Sequence, residues 1–292
     1  MAPQDKREGS RPIPTIHNVT RTDGPLQTPM LQQPENPESD CEILLPSCSK
    51  HMPVWPIWAA CAAAYVPGMN LRWRIVSDGS EALAPGWPVF WLKDDVGWCS
   101  NLLAALSDRT FTFVWIEDFV PAPSTSGQRW ADNVASALSV MRRDPSVGLL
   151  RLSMAHEPEL PYHGWDRVGE YDRESHPFKR ASLQPGIWRT DFLRRLMKAL
   201  LAQMPASKDV GVQGAYELEV DGTRLLCDAG AWPERCLGTR RAMPLLSTII
   251  GDIVHAGRFK CGPAEWALIE ATGLDVGSIP GLWRLLDSAS AA

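Results

Sequence analysis

The pattern of apolar and polar positions divides the chain at about residue 40. Residues 1–40 show almost no apolar periodicity and are rich in Pro, Gln, Asn, Thr and charge, the composition of an extended or disordered arm. From Cys41 onward, short apolar runs alternate with helical patterns. "EILLPSC" reads as a buried strand, "WPIWAACAAAYV" as an Ala-rich core helix and "LRWRIVSDG" as a second strand closed by Asp78-Gly79. "PVFWL" and "RTFTFVWIEDF" are two further strands, with the helix "WCSNLLAALSD" between them. There follow a helix, "RWADNVASALSVMRRD", a strand, "VGLLRLSM", and a long polar connection over 156–180. Next come "ASLQPGIW", the amphipathic helix "RTDFLRRLMKALLAQM", a late strand "TRLLC", and two helical pieces around "PAEWALIEAT" and "PGLWRLLDS". Strands alternating with helices predict βαβ units, and so an α/β, Rossmann-like parallel sheet.

Composition narrows the function classes. At 292 residues with 45% hydrophobic content the chain can bury a sizeable core. A net charge of −5 gives no overall electrostatic footprint for nucleic acid or an anionic membrane. The arm carries more acid than base, so it is not a basic nucleic-acid-binding segment. Seven scattered cysteines without CxxC spacing read as buried thiols of an intracellular protein. No apolar signal segment opens the chain, and "MPVWPIWAACAAAYVPGM" is too short to span a bilayer. A soluble, cytoplasmic protein with no transmembrane segment is the expectation.

One strand carries candidate chemistry. "FTFVWIEDF" runs apolar and stops on two adjacent carboxylates, Glu117 and Asp118. Open α/β sheets bind ligands at the carboxyl ends of their strands, and two acids there offer hard oxygen donors for a divalent cation. A strand end meeting solvent is the plainer reading of the same residues.

The blocks "ILLPSCSKHMPVW", "IVSDG", "DDVGWCSNLLAAL", "FVWIEDF", "LLRLS", "SLQPGIWRTDFLRRLM" and "AYELEVDG", in this order over 43–222, carry a resemblance. The series resembles nucleotide-sugar-dependent glycosyltransferases of the GT-A fold, especially bacterial enzymes that build capsules and other surface polysaccharides. The resemblance implies a GT-A-like, Rossmann-type mixed sheet flanked by helices. It places one main domain over 41–262, after the arm 1–40 and before a helical extension, 263–292. It further implies Mn²⁺ or Mg²⁺ and a UDP- or GDP-sugar donor, the cation neutralising the departing diphosphate. Glu117 and Asp118 stand where the family has Asp-x-Asp; Asp118 is the favoured metal ligand, and the departure leaves open which acid touches the ion.

The remaining site residues are read beside that resemblance. Asp78 can accept from a ribose hydroxyl or base edge, or can be a turn Asp before Gly. Ser47, Cys48 and Lys50 follow the first strand and can line a nucleotide pocket. Gly97 permits close backbone approach, Trp98 can wall the pocket, and Ser100 or Asn101 can cap a helix whose free amides favour an anion. Gln184 and Gly186 precede Trp188, whose indole either stacks on a sugar or anchors the core. Glu219, with Glu217 as second choice, is the candidate general base; the two share a face if extended and diverge if helical. Trp55, Trp58 and Trp73 are expected in the core, while Trp87, Trp98 and Trp165 can form sugar platforms. His156, His163 and His176 read as solvent-facing.

The acceptor implied is a hydroxyl of a surface glycan. A DNA acceptor, a hydroxymethylated base as used by phage-encoded transferases, fits the acidic charge less well, although "MRRD", "LRRLMK" and "GTRRAM" can form a local basic groove. A nucleotide- or carbohydrate-binding module without turnover is the reading from a different class.

Overall fold

The computed structural model describes residues 40–69, 71–79, 87–92, 97–124, 130–153, 156–174, 180–205, 212–241, 245–246, 254–255, 258–259 and 261–282. The arm 1–39, most of "PGLWRLLDS" and His176 lie outside the described residues.

Four strands run parallel at one side of the main sheet: β1 (Cys41–Pro46), β2 (Arg72–Ser77), β3 (Val89–Trp91) and β4 (Phe111–Val114). Helix α1 (Trp55–Tyr65) joins β1 to β2, and α2 (Trp98–Ala105) joins β3 to β4. After α3 (Trp130–Arg143) come β5 (Val147–Arg151), β6 (Leu160–Pro161), β7 (Val168–Glu170) and β8 (Gly186–Arg189). The chain continues through α4 (Thr190–Gln203), α5 (Val212–Leu226) and β9 (Arg235–Thr239). A small pair, β10 (Val254–His255) and β11 (Arg258–Phe259), and α6 (Pro263–Glu270) follow. The nine strands order as β3-β2-β1-β4-β8-β5-β9-β7-β6, with β8 antiparallel to both β4 and β5. The expected α/β class with a mixed sheet flanked by helices is therefore the one observed.

Alternation along the strands builds a core on each face of this sheet. Cys41, Ile43 and Leu45 of β1 join α1, α3 and α6 in one cluster, whereas Leu44 joins α2, α4 and α5 in the other. The first cluster centres on tryptophans. Trp58 meets Trp73, Trp87 and Trp115 edge-on at 5.0–5.4 Å, and Trp115 stacks on Trp130 at 5.2 Å. Trp55, Trp58 and Trp73 are thus core residues as expected, and Trp87, stacked on Trp73 at 5.0 Å, is core rather than a loop platform. Inside the second layer Glu42, fully buried, accepts two bonds from Arg74 at 2.9 and 3.0 Å.

Two expectations change, and a third element gains a place. "TRLLC" is not a strand: it is the last part of α5, and buried Leu218, Gly222, Thr223 and Leu226 fall at helical spacing. The 156–180 connection is not structureless, since β6 and β7 form a hairpin that extends the sheet beyond β9. The extension after residue 262 packs into the first core: Ile269, Ile279 and Leu282 are buried there, and Tyr65 donates to the Leu268 carbonyl at 2.6 Å.

Candidate functional site

From β1 the chain steps outward through β2 to β3, then returns to the other side of β1 as β4. The order reverses between β1 and β4, and the crevice outside their carboxyl ends is where open α/β sheets place ligands. The loops following β1, β2 and β4 meet here. Because β8 runs the other way, the segment entering it, 182–185, lies at the same edge, with Gly186 level with Val114 and Arg151.

The acid pair sits just past β4 in a tight turn, closed by Phe119 N–H donating to the Ile116 carbonyl at 3.2 Å. Trp115 staples that turn. Its backbone amide donates to Leu44 at 3.0 Å and its indole N–H to the Phe119 carbonyl at 2.6 Å, while its ring is buried among the other indoles. An aromatic residue before the acids therefore fixes where they emerge. Glu117 is only 7% exposed, and Asp118 is half-buried.

Glu117 has a partner that the sequence did not announce. His51, from the turn after β1, places Nδ1 2.7 Å from Glu117 Oε1. Burial would lower the His51 pKa, but hydrogen bonds with Cys48 and Glu117 outweigh it and raise it to about 10. The imidazole is thus held as a cation between a thiol and a carboxylate. Ligand atoms of Cys48, His51 and Glu117 all lie within 4.8 Å of one another. Glu117's second oxygen and Asp118 supply hard donors of the kind and number that Mg²⁺ or Mn²⁺ takes from protein, so the chemistry of the strand edge fits such an ion.

Asp78 closes the β2 side. Its two oxygens accept from the Ser49 amide at 2.7 Å and the Ser49 hydroxyl at 2.9 Å, which pins the β1 loop to the end of β2. The neighbouring Gly79 amide donates to Ser77 Oγ, a local turn bond. Ser47 accepts from the Trp55 indole at 2.8 Å. Gly97 takes φ of 119° and is itself the N-cap of α2, so Ser100 and Asn101 lie inside the first turn rather than capping it. Trp98 is half-buried against the second core, and Cys99 donates to the Gly214 carbonyl, joining α2 to α5.

On the β8 side, Gln184 Oε1 accepts from Ser153 Oγ at 2.8 Å, linking the loop after β5 to the loop before β8. Glu219 Oε1 accepts from the Leu183 amide at 2.9 Å and Ser182 Oγ at 3.2 Å. Since α5 is helical, Glu217 points away from Glu219, and it is Glu219 that holds this loop. Of the two roles open to Trp188 the structure shows the core anchor: it is 1% exposed and stacks on Phe192 at 6.0 Å. Arg151 was not anticipated. It is fully buried at the end of β5, 4.4 Å above the Tyr171 ring, and burial lowers its pKa against the opposing pull of Tyr171 and Glu219. His163 is exposed as expected, and His156 is half-buried, its carbonyl accepting from Tyr171.

No protein-family model matches the chain, and no curated protein matches it. Solved structures are similar to it at a distance. The mannosyltransferase PcManGT from Pyrobaculum calidifontis, in complex with GDP-Man and Mn²⁺, is 12% identical with a TM-score of 0.40, over 87% of this chain and 75% of its own. The galactosyltransferase LgtC, in complex with donor and acceptor sugar analogues, is 12% identical with a TM-score of 0.40, over 83% and 99%. TarS 1–349 of S. aureus is 12% identical with a TM-score of 0.39, over 68% of this chain. The chain spans little more than half, 57%, of that TarS fragment. Among the described residues no helix is long and apolar enough to cross a membrane.

Proposed function

We propose that this protein is a metal-dependent glycosyltransferase that moves a sugar from a UDP- or GDP-sugar to a hydroxyl, acting in the cytoplasm on a surface glycan. The observation that carries the reading is the convergence of acidic side chains from separate loops on one topological switch point, with the acid turn held rigidly by Trp115. In this reading Asp118, with Glu117, holds Mn²⁺ or Mg²⁺, which offsets the negative charge of the departing diphosphate. Asp78, Ser47 and the backbone at Gly97 border the nucleoside, with Trp98 and Asn101 beside them. Gln184 faces the sugar from the loop that Glu219 anchors.

Glu219 is the proposed base. It takes the proton from the acceptor hydroxyl as that oxygen attacks the anomeric carbon, and the nucleoside diphosphate leaves with the bonding electrons, giving inversion. Glu217, on another face of α5, is the second choice. A hydroxymethylated DNA base as acceptor draws no support from the overall charge of −5.

Calorimetry with UDP and GDP, with Mn²⁺ and again with EDTA, tests the donor assignment. Binding that depends on the metal, together with slow hydrolysis of one nucleotide sugar from a panel, is the expected result. Equal affinity in chelator would sink the metal assignment, and no nucleotide binding under any condition would sink the transferase reading.

A further inference from the structure

We propose that Cys48, His51 and Glu117 form a three-ligand site for a thiophilic divalent transition-metal ion such as Zn²⁺, with a fourth position left for an exogenous ligand. The three side chains offer sulfur, nitrogen and oxygen donors that all lie within 4.8 Å of one another. Among the described residues no other trio of Cys, His, Asp or Glu is grouped this way. Hard ions such as Mg²⁺ take carboxylate, carbonyl and water oxygens, whereas thiolate and imidazole select zinc and its neighbours. The mixed donor set therefore points away from the ion proposed for the diphosphate.

The geometry is within reach of tetrahedral coordination. Metal bonds of ~2.0–2.3 Å place neighbouring donors roughly 3.3–3.6 Å apart. His51 Nδ1 and Glu117 Oε1, now at 2.7 Å, have to part by less than an ångström, and Cys48 Sγ closes from no more than 4.8 Å. Side-chain rotation supplies this, because Cys48 and His51 are both only half-buried in a surface turn. The ion takes the place of the proton that His51 and Glu117 share and of the Cys48 thiol proton, both of which pass to solvent. The resulting thiolate and carboxylate then balance the charge of a divalent ion, which suits a partly buried position.

The supporting shell is in place without the metal. His51 N–H donates to the Cys48 carbonyl at 2.9 Å, so both ligands of the β1 loop sit in one turn. Ser49, between them, is tied to Asp78 by two hydrogen bonds, and Glu117 is fixed by the Trp115-stapled turn. Such outer contacts orient ligands and tune affinity. Three protein ligands leave a place for water or an anionic oxygen, as in catalytic rather than structural zinc sites. The site shares Glu117 with the acid pair above but stands whether or not the protein transfers sugar.

Co²⁺ is the probe, added to the full chain without nucleotide. Expected are the visible bands of tetrahedral cobalt and a thiolate-to-cobalt charge-transfer band, titrating one-to-one and bleached by Zn²⁺ but not by Mg²⁺. Cys48→Ser should remove the charge-transfer band, and His51→Ala or Glu117→Gln should weaken Zn²⁺ binding by at least about tenfold. Cys227→Ser and Cys261→Ser, at the other half-buried thiols, should leave both unchanged. A wild-type chain with no charge-transfer band, or a band that survives Cys48→Ser, overturns the proposal. Thermal melts check that each variant is folded, and the wild-type spectrum decides without them. Loss of nucleotide binding alone would fault the transferase reading and leave this measurement standing.

Discussion

His51 shows how much of the strand edge depends on a partner 66 residues away. Its pKa is raised from 6.5 to about 10 on folding, so its contribution to stability is full below 6.5 and is lost as the pH climbs through 10. In metal-free buffer the wild-type urea midpoint should exceed that of His51→Asn by a margin that is constant below pH 6.5 and shrinks towards pH 10. A margin independent of pH would show that the ion pair contributes nothing. The proposed catalytic roles separate at the same scale. Glu219→Gln keeps an oxygen for Leu183 and Ser182, so donor affinity should hold while kcat falls by about 10² to 10⁴. Asp118→Asn should weaken metal-dependent donor binding as well. Unchanged turnover in Glu219→Gln would remove that residue from catalysis. Glu117 and Asp118 were legible because an apolar run stopped on them. His51 was not, because no local pattern in "SCSKH" marks a contact to a turn beyond β4. The packing role of Trp87 was equally hidden, and the sequence left that of Trp188 as one of two readings, for stacking depends on rings brought together by the whole sheet.

Among the elements, β1 and β2 are joined by more than their backbone ladder. Glu42 is fully buried, and Arg74 satisfies both of its oxygens while also donating to the Ala105 carbonyl at 2.6 Å. Arg74→Ala leaves a buried carboxylate without its cation and should cost about 3–5 kcal/mol in urea unfolding. Arg74→Lys keeps the charge but loses the two-pronged bond, and should fall between wild type and Ala. A loss under about 1 kcal/mol for Arg74→Ala, the range of an exposed pair, would mean that water reaches Glu42. Strands β1 to β4 and helices α1 to α4 were readable because each is either a continuous apolar run of the right length or carries its own period, with turn residues between them. The readings that failed did so for physical reasons. Five residues of "TRLLC" look β-like alone, but the register that buries Leu218 and Leu226 spans the whole of α5. Strand β9 has only Cys236 and Leu237 as an apolar run, and β6 and β7 are two and three residues long, so pairing rather than a hydrophobic pattern defines them.

For the whole molecule, the two ends of the chain should respond differently to truncation. Residues 1–39 are polar and lack an apolar period, whereas Asp40 already belongs to the fold: its carbonyl accepts from Phe111, and its carboxylate pairs with Arg142 on α3. A chain beginning at Asp40 should therefore unfold cooperatively, within about 1 kcal/mol of full length, the size expected when no buried group is lost. Ending the chain at Gly262 should do the opposite. It strips Ile269, Ile279 and Leu282 from the first core and breaks the Tyr65–Leu268 bond, although α1 and the indole cluster beneath are kept. Each buried aliphatic side chain contributes about 1.5–3 kcal/mol, so the sum is comparable to the roughly 5–15 kcal/mol that holds a typical domain together. Urea unfolding followed by tryptophan fluorescence reports on both, since Trp58, Trp73 and Trp115 lie in that core. The longer truncation should lose its cooperative transition or shift it far down in urea. If it unfolds as the full chain does, α6 is an appendage and the boundary near residue 262 stands; a collapse on removing only 1–39 would instead make the arm part of the fold.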